Sequence, residues 1–291
     1  MGSAAPFDTL LLVECPLPWP HDVSEIPELA SASARPGARV MAVVPRVEDA
    51  PPGGQVRVVH HRRVGANRLV GTDHCVRRDE VAPLLARILD DPRADSAALP
   101  SAIGAAPVEV LVCAHGRRDA CCGRWGTLLH VELAARGDDV RLWRCSHTGG
   151  HRFAPTAITL PDGRAWAYVD ADLVQAITTR TGDVADVAPH DRGNSALDPW
   201  AQAVEHALFE EHGWAWLEHD VTERTTDVAP DRDSASVALA WEGPDGSTGR
   251  VHAIVEVTRR LPVPVCGEPP EQATKSSPEY TLRELAVDAS G

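Results

Sequence analysis

The sequence predicts an α/β protein, and three observations carry that expectation. Short apolar runs typical of buried strands recur along the chain, the clearest being Val108-Glu-Val-Leu-Val-Cys113. Between them lie segments with helical apolar spacing, such as Val81, Leu84, Leu85 and Ile88. The 291 residues are 43% hydrophobic and 24% charged, an ordinary balance for a globular chain with room for one large domain or two smaller ones.

From the N-terminus, residues 9–14 read as a buried strand stopped by the proline-rich turn Cys15-Pro16-Leu17-Pro18-Trp19-Pro20. A short helix is expected within 24–34. Strands follow at 39–44, ended by Pro45, and at 55–63, where alternation is better, with a shorter one at 69–71. Residues 79–89 form a helix whose acidic first turn suits its dipole. Within 55–63, His60 and His61 beside Arg62 and Arg63 read as a basic, solvated strand face. Residues 1–95 are thus expected to be a smaller α/β region, and the Asp-, Pro- and Ser-rich stretch 91–106 a linker.

After it, the strand 108–113 leads into a loop, 114–123. A helix follows at 124–135, with Leu128, Leu129 and Leu133 facing inward and Gly137 as its C-cap. Residues 140–145 form the next strand. A hairpin around Pro161-Asp162-Gly163 pairs 157–160 with 165–169, and a helix starts at Asp170. Strand, helix, strand, hairpin, helix is the order of a thioredoxin-like unit, assigned to residues 107–190. Residues 194–291 are expected to add an amphipathic helix at 198–212, two strands around 236–241 and 250–258, a polar tail at 268–278 and a last short element at 280–286.

Composition narrows the function classes. A net charge of −14 argues against nucleic-acid binding, which rests on neutralising phosphates, and suits docking onto a basic partner surface. No apolar run is long enough for a membrane span, and the N-terminus lacks a signal-peptide pattern, so the expected compartment is the cytoplasm. Seven cysteines, an odd and uneven set, do not suit a secreted disulfide framework. Four of them, with four of the thirteen histidines, fall between Cys113 and His151. That density of soft and borderline ligands suggests a metal centre.

Two ligand pairs can be drawn there: Cys113 and Cys122, with eight residues between them, and His147 and His151, with three between them. Both pairs lie in loops that leave strand ends, where α/β folds place ligands. Two cysteines opposite two histidines suit a mixed-ligand [2Fe–2S] cluster or a tetrahedral zinc ion. Cys121 is an alternative to its neighbour, and Cys145 could replace a histidine in an all-cysteine site. His115 reads as a backbone-bonded loop residue or a partner behind the ligands. Arg117, Arg118 and Asp119 read as a salt-bridged loop. Cys15, Cys75 and Cys266 are isolated, and Trp19, Trp143 and Trp166 are expected in the core.

The run Cys113-x-His115-Gly116-x-Arg118-Asp119-x-x-Cys122-Gly123, followed by Cys145-Ser146-His147-x-Gly149-Gly150-His151-Arg152-Phe153-Ala154-Pro155, resembles the sucrase/ferredoxin-like family. These are thioredoxin-fold [2Fe–2S] proteins. The resemblance is most specific over 110–170 and extends to Leu11–Trp19, to Arg192-Gly-Asn-Ser195 and to Cys266-Gly-Glu-Pro. It implies a one-electron carrier, more than a stand-alone enzyme, with a redox protein as partner. Fungal members space their ligands Cys-x8-Cys and His-x3-His, which implies Cys113, Cys122, His147 and His151 here. No pair of carboxylates in this stretch supports a glycosidase reading. The competing readings are a structural zinc site in an interaction protein and a thioredoxin-like thiol redox enzyme. The chain has no Cys-x-x-Cys, which weighs against the latter. It also lacks a Gly-x-Gly-x-x-Gly loop for a nicotinamide or flavin cofactor.

Overall fold

The computed structural model describes every residue except Asp49, Asp138 and Gly291, and the side chains of Ala289 and Ser290. The protein is mixed α/β. It divides into two compact units: one is built from Phe7–Val64 and Arg68–Pro161, the other from Met1–Pro6, Gly65–Asn67 and Asp162–Gly291.

The first unit carries the elements β1 (Thr9–Glu14), α1 (Ala30–Ser33), β2 (Ala38–Val43), β3 (Val56–Gly65), β4 (Arg68–Val76), α2 (Val81–Asp90), β5 (Ala102–Ala105), β6 (Glu109–Cys113), α3 (Thr127–Arg136), β7 (Arg141–Cys145) and β8 (Ala157–Leu160). Its strands form one mixed sheet in the order β8-β6-β7-β2-β1-β3-β4-β5. β1 runs parallel to β2 and antiparallel to β3, while β6 runs parallel to β7 and antiparallel to β8. β2 and β7 meet antiparallel at Val43 and Cys145. Every residue of β1 and of β6 is buried, which is why both read as unbroken apolar runs. Leu11, Val13, Val40 and Val58 pack on one face under Leu84, Leu85 and Ile88 of α2.

Several sequence expectations change in this unit. The stretch 91–106 contributes the edge strand β5, paired with β4. β4 itself runs to Val76, well past the apolar residues 69–71, because its polar residues find buried partners. Asp73 makes two 2.7 Å bonds to Arg141, and Glu109, fully buried, accepts from the indole of Trp143 at 2.7 Å. His60 and His61 are 1% and 2% exposed, not a solvated face, because β3 lies between two other strands. His61 lies 2.5 Å from Glu109, and His60 bonds the hydroxyl of Ser96 at 2.8 Å. The helix expected in 24–34 is only the turn Val23–Glu25 and the single turn α1, residues that lack a long apolar stripe. Leu128 is 57% exposed rather than inward; Leu129 and Leu133, one turn apart, fill the core face of α3.

The second unit carries β9 (Arg164–Trp166), α4 (Ala171–Thr179), α5 (Val184–Val187), β10 (Asp191–Asn194), α6 (Pro199–His212), β11 (Asp220–Val228), β12 (Ser234–Glu242), β13 (Thr248–Val263) and β14 (Lys275–Ser290). The last four strands form an antiparallel sheet in sequence order. Only its middle two are legible as strands, since β12 and β13 alternate buried and exposed residues. β11 is mostly exposed, and the tail residues 275–290 form one long strand rather than a short element. Asp170 and Asp198 cap α4 and α6 through their carboxylates. α6 is buried nearly all round, not on one side alone. Gln202, Glu205 and His206 are among its buried residues, and their partners explain it. Glu205 and Asp191 both bond Arg164, and Asp191 also receives His206 at 3.1 Å. No helix among the described residues is long and apolar enough to cross a membrane.

Candidate metal centre

The site begins where two parallel strands end side by side. β6 and β7 finish in the register pair Cys113 and Cys145. The chain after Cys113 turns through 114–121 into a π-helical turn, Cys122–Gly126, which runs on into α3. Such wide turns inside helices recur at functional sites because they re-aim side chains. Close approach here depends on missing side chains. A Cβ on Gly126 would lie 1.8 Å from the carbonyl oxygen of Cys113, and one on Gly123 would lie 2.4 Å from Gly116 Cα. After β7 the chain passes His147 and turns through Gly149 and Gly150, with φ of 89° and 69°, before His151. These left-handed angles suit glycine.

Cys113 is the centre of the arrangement. Its thiol lies buried at the end of β6, with Cys122, His147 and the backbone of Thr148 and His115 near enough to act on it. The Cys122 contact, with these others, pulls the Cys113 thiol well below its ordinary range against the opposing effect of burial. Cys122 moves the other way, because its proton is held by Cys113 and burial disfavours a second thiolate.

The histidines are tied together by Asp119, which is 6% exposed. Its carboxylate lies 3.0 Å from His147 Nδ1 and 3.9 Å from His151 Nδ1. The 3.0 Å contact is ionic, with an angle outside hydrogen-bond geometry. Burial opposes a charge on His147, yet Asp119 and the Cys113 sulfur together hold its pKa above the usual imidazole value. Asp119 is held below the usual carboxylate range: burial works against this, and His147, His151 and Arg118 outweigh it. The guanidinium of Arg39, from β2, fixes the His147 carbonyl at 3.1 Å.

The structure therefore places Cys122 and His147 near Cys113, and Asp119 lies 3.0 Å from His147 and 3.9 Å from His151. The adjacent cysteines diverge. Cys122 is buried beside Cys113, whereas half-buried Cys121 lies 3.8 Å from His151 Nδ1 and 3.4 Å from the His151 carbonyl oxygen. Cys145 is fully buried, and burial together with Cys113 pushes its thiol well up. The loop 117–119 is not closed on itself. Arg118 turns to Asp22, at 3.4 Å, and Asp119 is used by the histidines. An acidic residue between two cysteines, in a loop that faces two histidines, was the available signal for that role.

The proline-rich turn after β1 supports the same loop. His115 Nε2 donates to the Pro20 carbonyl at 2.8 Å, and the Trp19 ring meets the His115 ring edge-on at 5.5 Å. Trp19 is itself anchored by its indole N–H on the Cys15 carbonyl at 2.9 Å. The two distant motifs, Leu11–Trp19 and Cys113–Cys122, are thus parts of one structure.

A family model described as sucrase/ferredoxin-like matches residues 1–193. The chain belongs to the sucrase/ferredoxin-like family. The match takes in both ligand loops and the Pro16–Pro20 turn, and ends at Gly193, so Cys266-Gly-Glu-Pro lies beyond it. No curated protein and no solved structure matches the chain. The chemistry of the donors in this sucrase/ferredoxin-like chain fits a soft or borderline metal group: two buried thiols, and two imidazoles whose Nδ1 atoms face one carboxylate.

Proposed function

We propose that the protein is a one-electron carrier whose [2Fe–2S] cluster is held by Cys113, Cys122, His147 and His151. The observation that carries this reading is the meeting of two loops at the ends of the parallel strands β6 and β7, one with buried Cys113 and Cys122, the other with His147 and His151 facing Asp119 of the first. When bound, the cluster supplies one-electron chemistry between its diferric and mixed-valence forms. The residues of the chain do the rest. Cys113 and Cys122 would give up their thiol protons on binding and supply anionic sulfur. Asp119 faces the Nδ1 side of both rings, so Nε2 of each would be the nitrogen turned to the cluster. Val112, Cys113 and Cys145, all fully buried, keep water from the inner side. Neutral imidazoles carry less negative charge than thiolates, so the potential lies above that of an all-cysteine ferredoxin. The partner is a redox protein met in the cytoplasm, and the acidic surface favours one with a basic face.

Purified protein is expected to be red-brown, to contain about two iron and two acid-labile sulfide per chain, and to bleach with dithionite. The midpoint potential falls as pH rises between about 6 and 10, through proton loss from iron-bound imidazole. Cys122→Ser abolishes the colour and Cys121→Ser keeps it, while His147→Cys keeps a cluster at lower potential. A colourless protein with one zinc per chain overturns the proposal.

A further inference from the structure

A cleft of about 460 Å³ opens along the loop 114–123, and none of Cys113, Cys122, His147 and His151 lines it. Part of its lining is apolar: Leu17, Pro18 and Trp19 from the turn after β1. Arg117, Arg144 and His115 also line it. Its volume is that of a small-molecule site, and its lining is mainly apolar with a few convergent polar groups.

Two guanidinium groups in this lining have no ion pair among the described residues. Arg144 has only a 3.4 Å bond from Nη2 to Thr127, and its Nε has no partner. Arg117 is exposed. In a chain with net charge −14, two uncompensated cations lining one cleft are a local exception.

We infer that this cleft binds a small organic carboxylate with a flat apolar body. The carboxylate pairs with Arg117 and Arg144, which favour planar two-pronged acceptors. The apolar body lies against Leu17, Pro18 and Trp19. A bare phosphate does not fit as well, because the apolar wall would meet nothing apolar. The inference does not depend on which metal the neighbouring loops hold.

The test uses the full-length protein as isolated, with 3-hydroxybenzoate as probe and 3-hydroxybenzamide as its uncharged match, both measured by calorimetry. One-site binding of the benzoate is expected, with the benzamide weaker by roughly tenfold or more. Arg117→Gln, at the exposed rim, is expected to weaken the benzoate by about the same factor and leave the benzamide unchanged. The Trp19 indole N–H resonance shifts on titration. Arg144→Gln gives the same selective loss where it folds, and Arg117→Gln decides the matter where it does not. Equal affinity for acid and amide, an unaltered Arg117→Gln affinity, or a Trp19 resonance that does not move each overturns the inference.

Discussion

Replacing Asp119 with Asn tests the centre without changing its shape. The substitution keeps the side-chain volume and removes the charge that lies 3.0 Å from His147 and 3.9 Å from His151. At an effective dielectric of about 20, a full charge pair at the shorter distance attracts by on the order of 5 kcal/mol. Much of that is offset, because a carboxylate that is 6% exposed has already lost its water. Carboxylate–histidine–metal relays lose about 10–100-fold in metal affinity when the carboxylate is removed, which is roughly 1.4–2.7 kcal/mol. D119N should therefore fold, take up the metal group, and release it to a chelator correspondingly faster than the parent. With one negative charge fewer beside the centre, its reduction potential should rise by tens of millivolts, since 59 mV corresponds to about 1.4 kcal/mol for one electron. Chelator-release kinetics and dye-coupled titration read the two quantities. If D119N matches the parent in both, Asp119 does not orient the histidines and the arrangement drawn from it is wrong.

Three further outcomes follow from other parts of the molecule. Burial and the neighbouring His61 hold the His60 pKa down to about 3, so the folded state resists a proton that the unfolded chain takes up below about pH 6.5. Stability is complete above that value and lost as pH falls toward the folded pKa, by about 2 kcal/mol at pH 5; urea titrations at pH 7 and 5 should differ by that amount, and His60→Gln should reduce the difference. Gly126→Ala puts a methyl 1.8 Å from the Cys113 carbonyl and should disrupt the cysteine loop, whereas Gly137→Ala, at φ 71° in open space, should lower stability by only about 1 kcal/mol; thermal melts and metal content compare the two. In the second unit, Arg164→Met leaves Asp191 and Glu205 buried without their shared cation, and should cost about 3–5 kcal/mol by chemical denaturation.

The strands of the first unit were legible because burial on both faces writes itself as apolar runs. Leu10–Val13 and Val110–Val112 need no tertiary knowledge. The buried charges are another matter. Asp73, Glu109, Arg141 and His61 are polar letters on strands, and a single sequence gives no hint that they neutralise one another. The same holds for Arg164, Asp191 and Glu205 around α6. At the site, cysteine and histidine spacing was visible, as were the glycines at 123, 149 and 150, whereas the need for glycine at 126 was not. The part played by Asp119 was not, since its partners come from a loop after another strand and only the parallel pairing of β6 and β7 brings that loop across.

The first unit uses one strand plan twice. On one side of the β2–β7 junction the order is β2-β1-β3; on the other it is β7-β6-β8, with the same parallel and antiparallel senses. The junction pairs Val43 with Cys145, so these two residues occupy equivalent places. Glu14 is the β1 partner of Val43, as Cys113 is the β6 partner of Cys145. The position that carries the central cysteine in one half carries a glutamate in the other. There Glu14 bonds backbone amides, those of Arg46 at 3.3 Å and Arg57 at 3.1 Å, and binds its own half together. The loop that follows Glu14 is correspondingly different: it has prolines where the other has cysteines, and it reaches across to receive His115. One half thus presents the thiols and the other braces the loop that carries them.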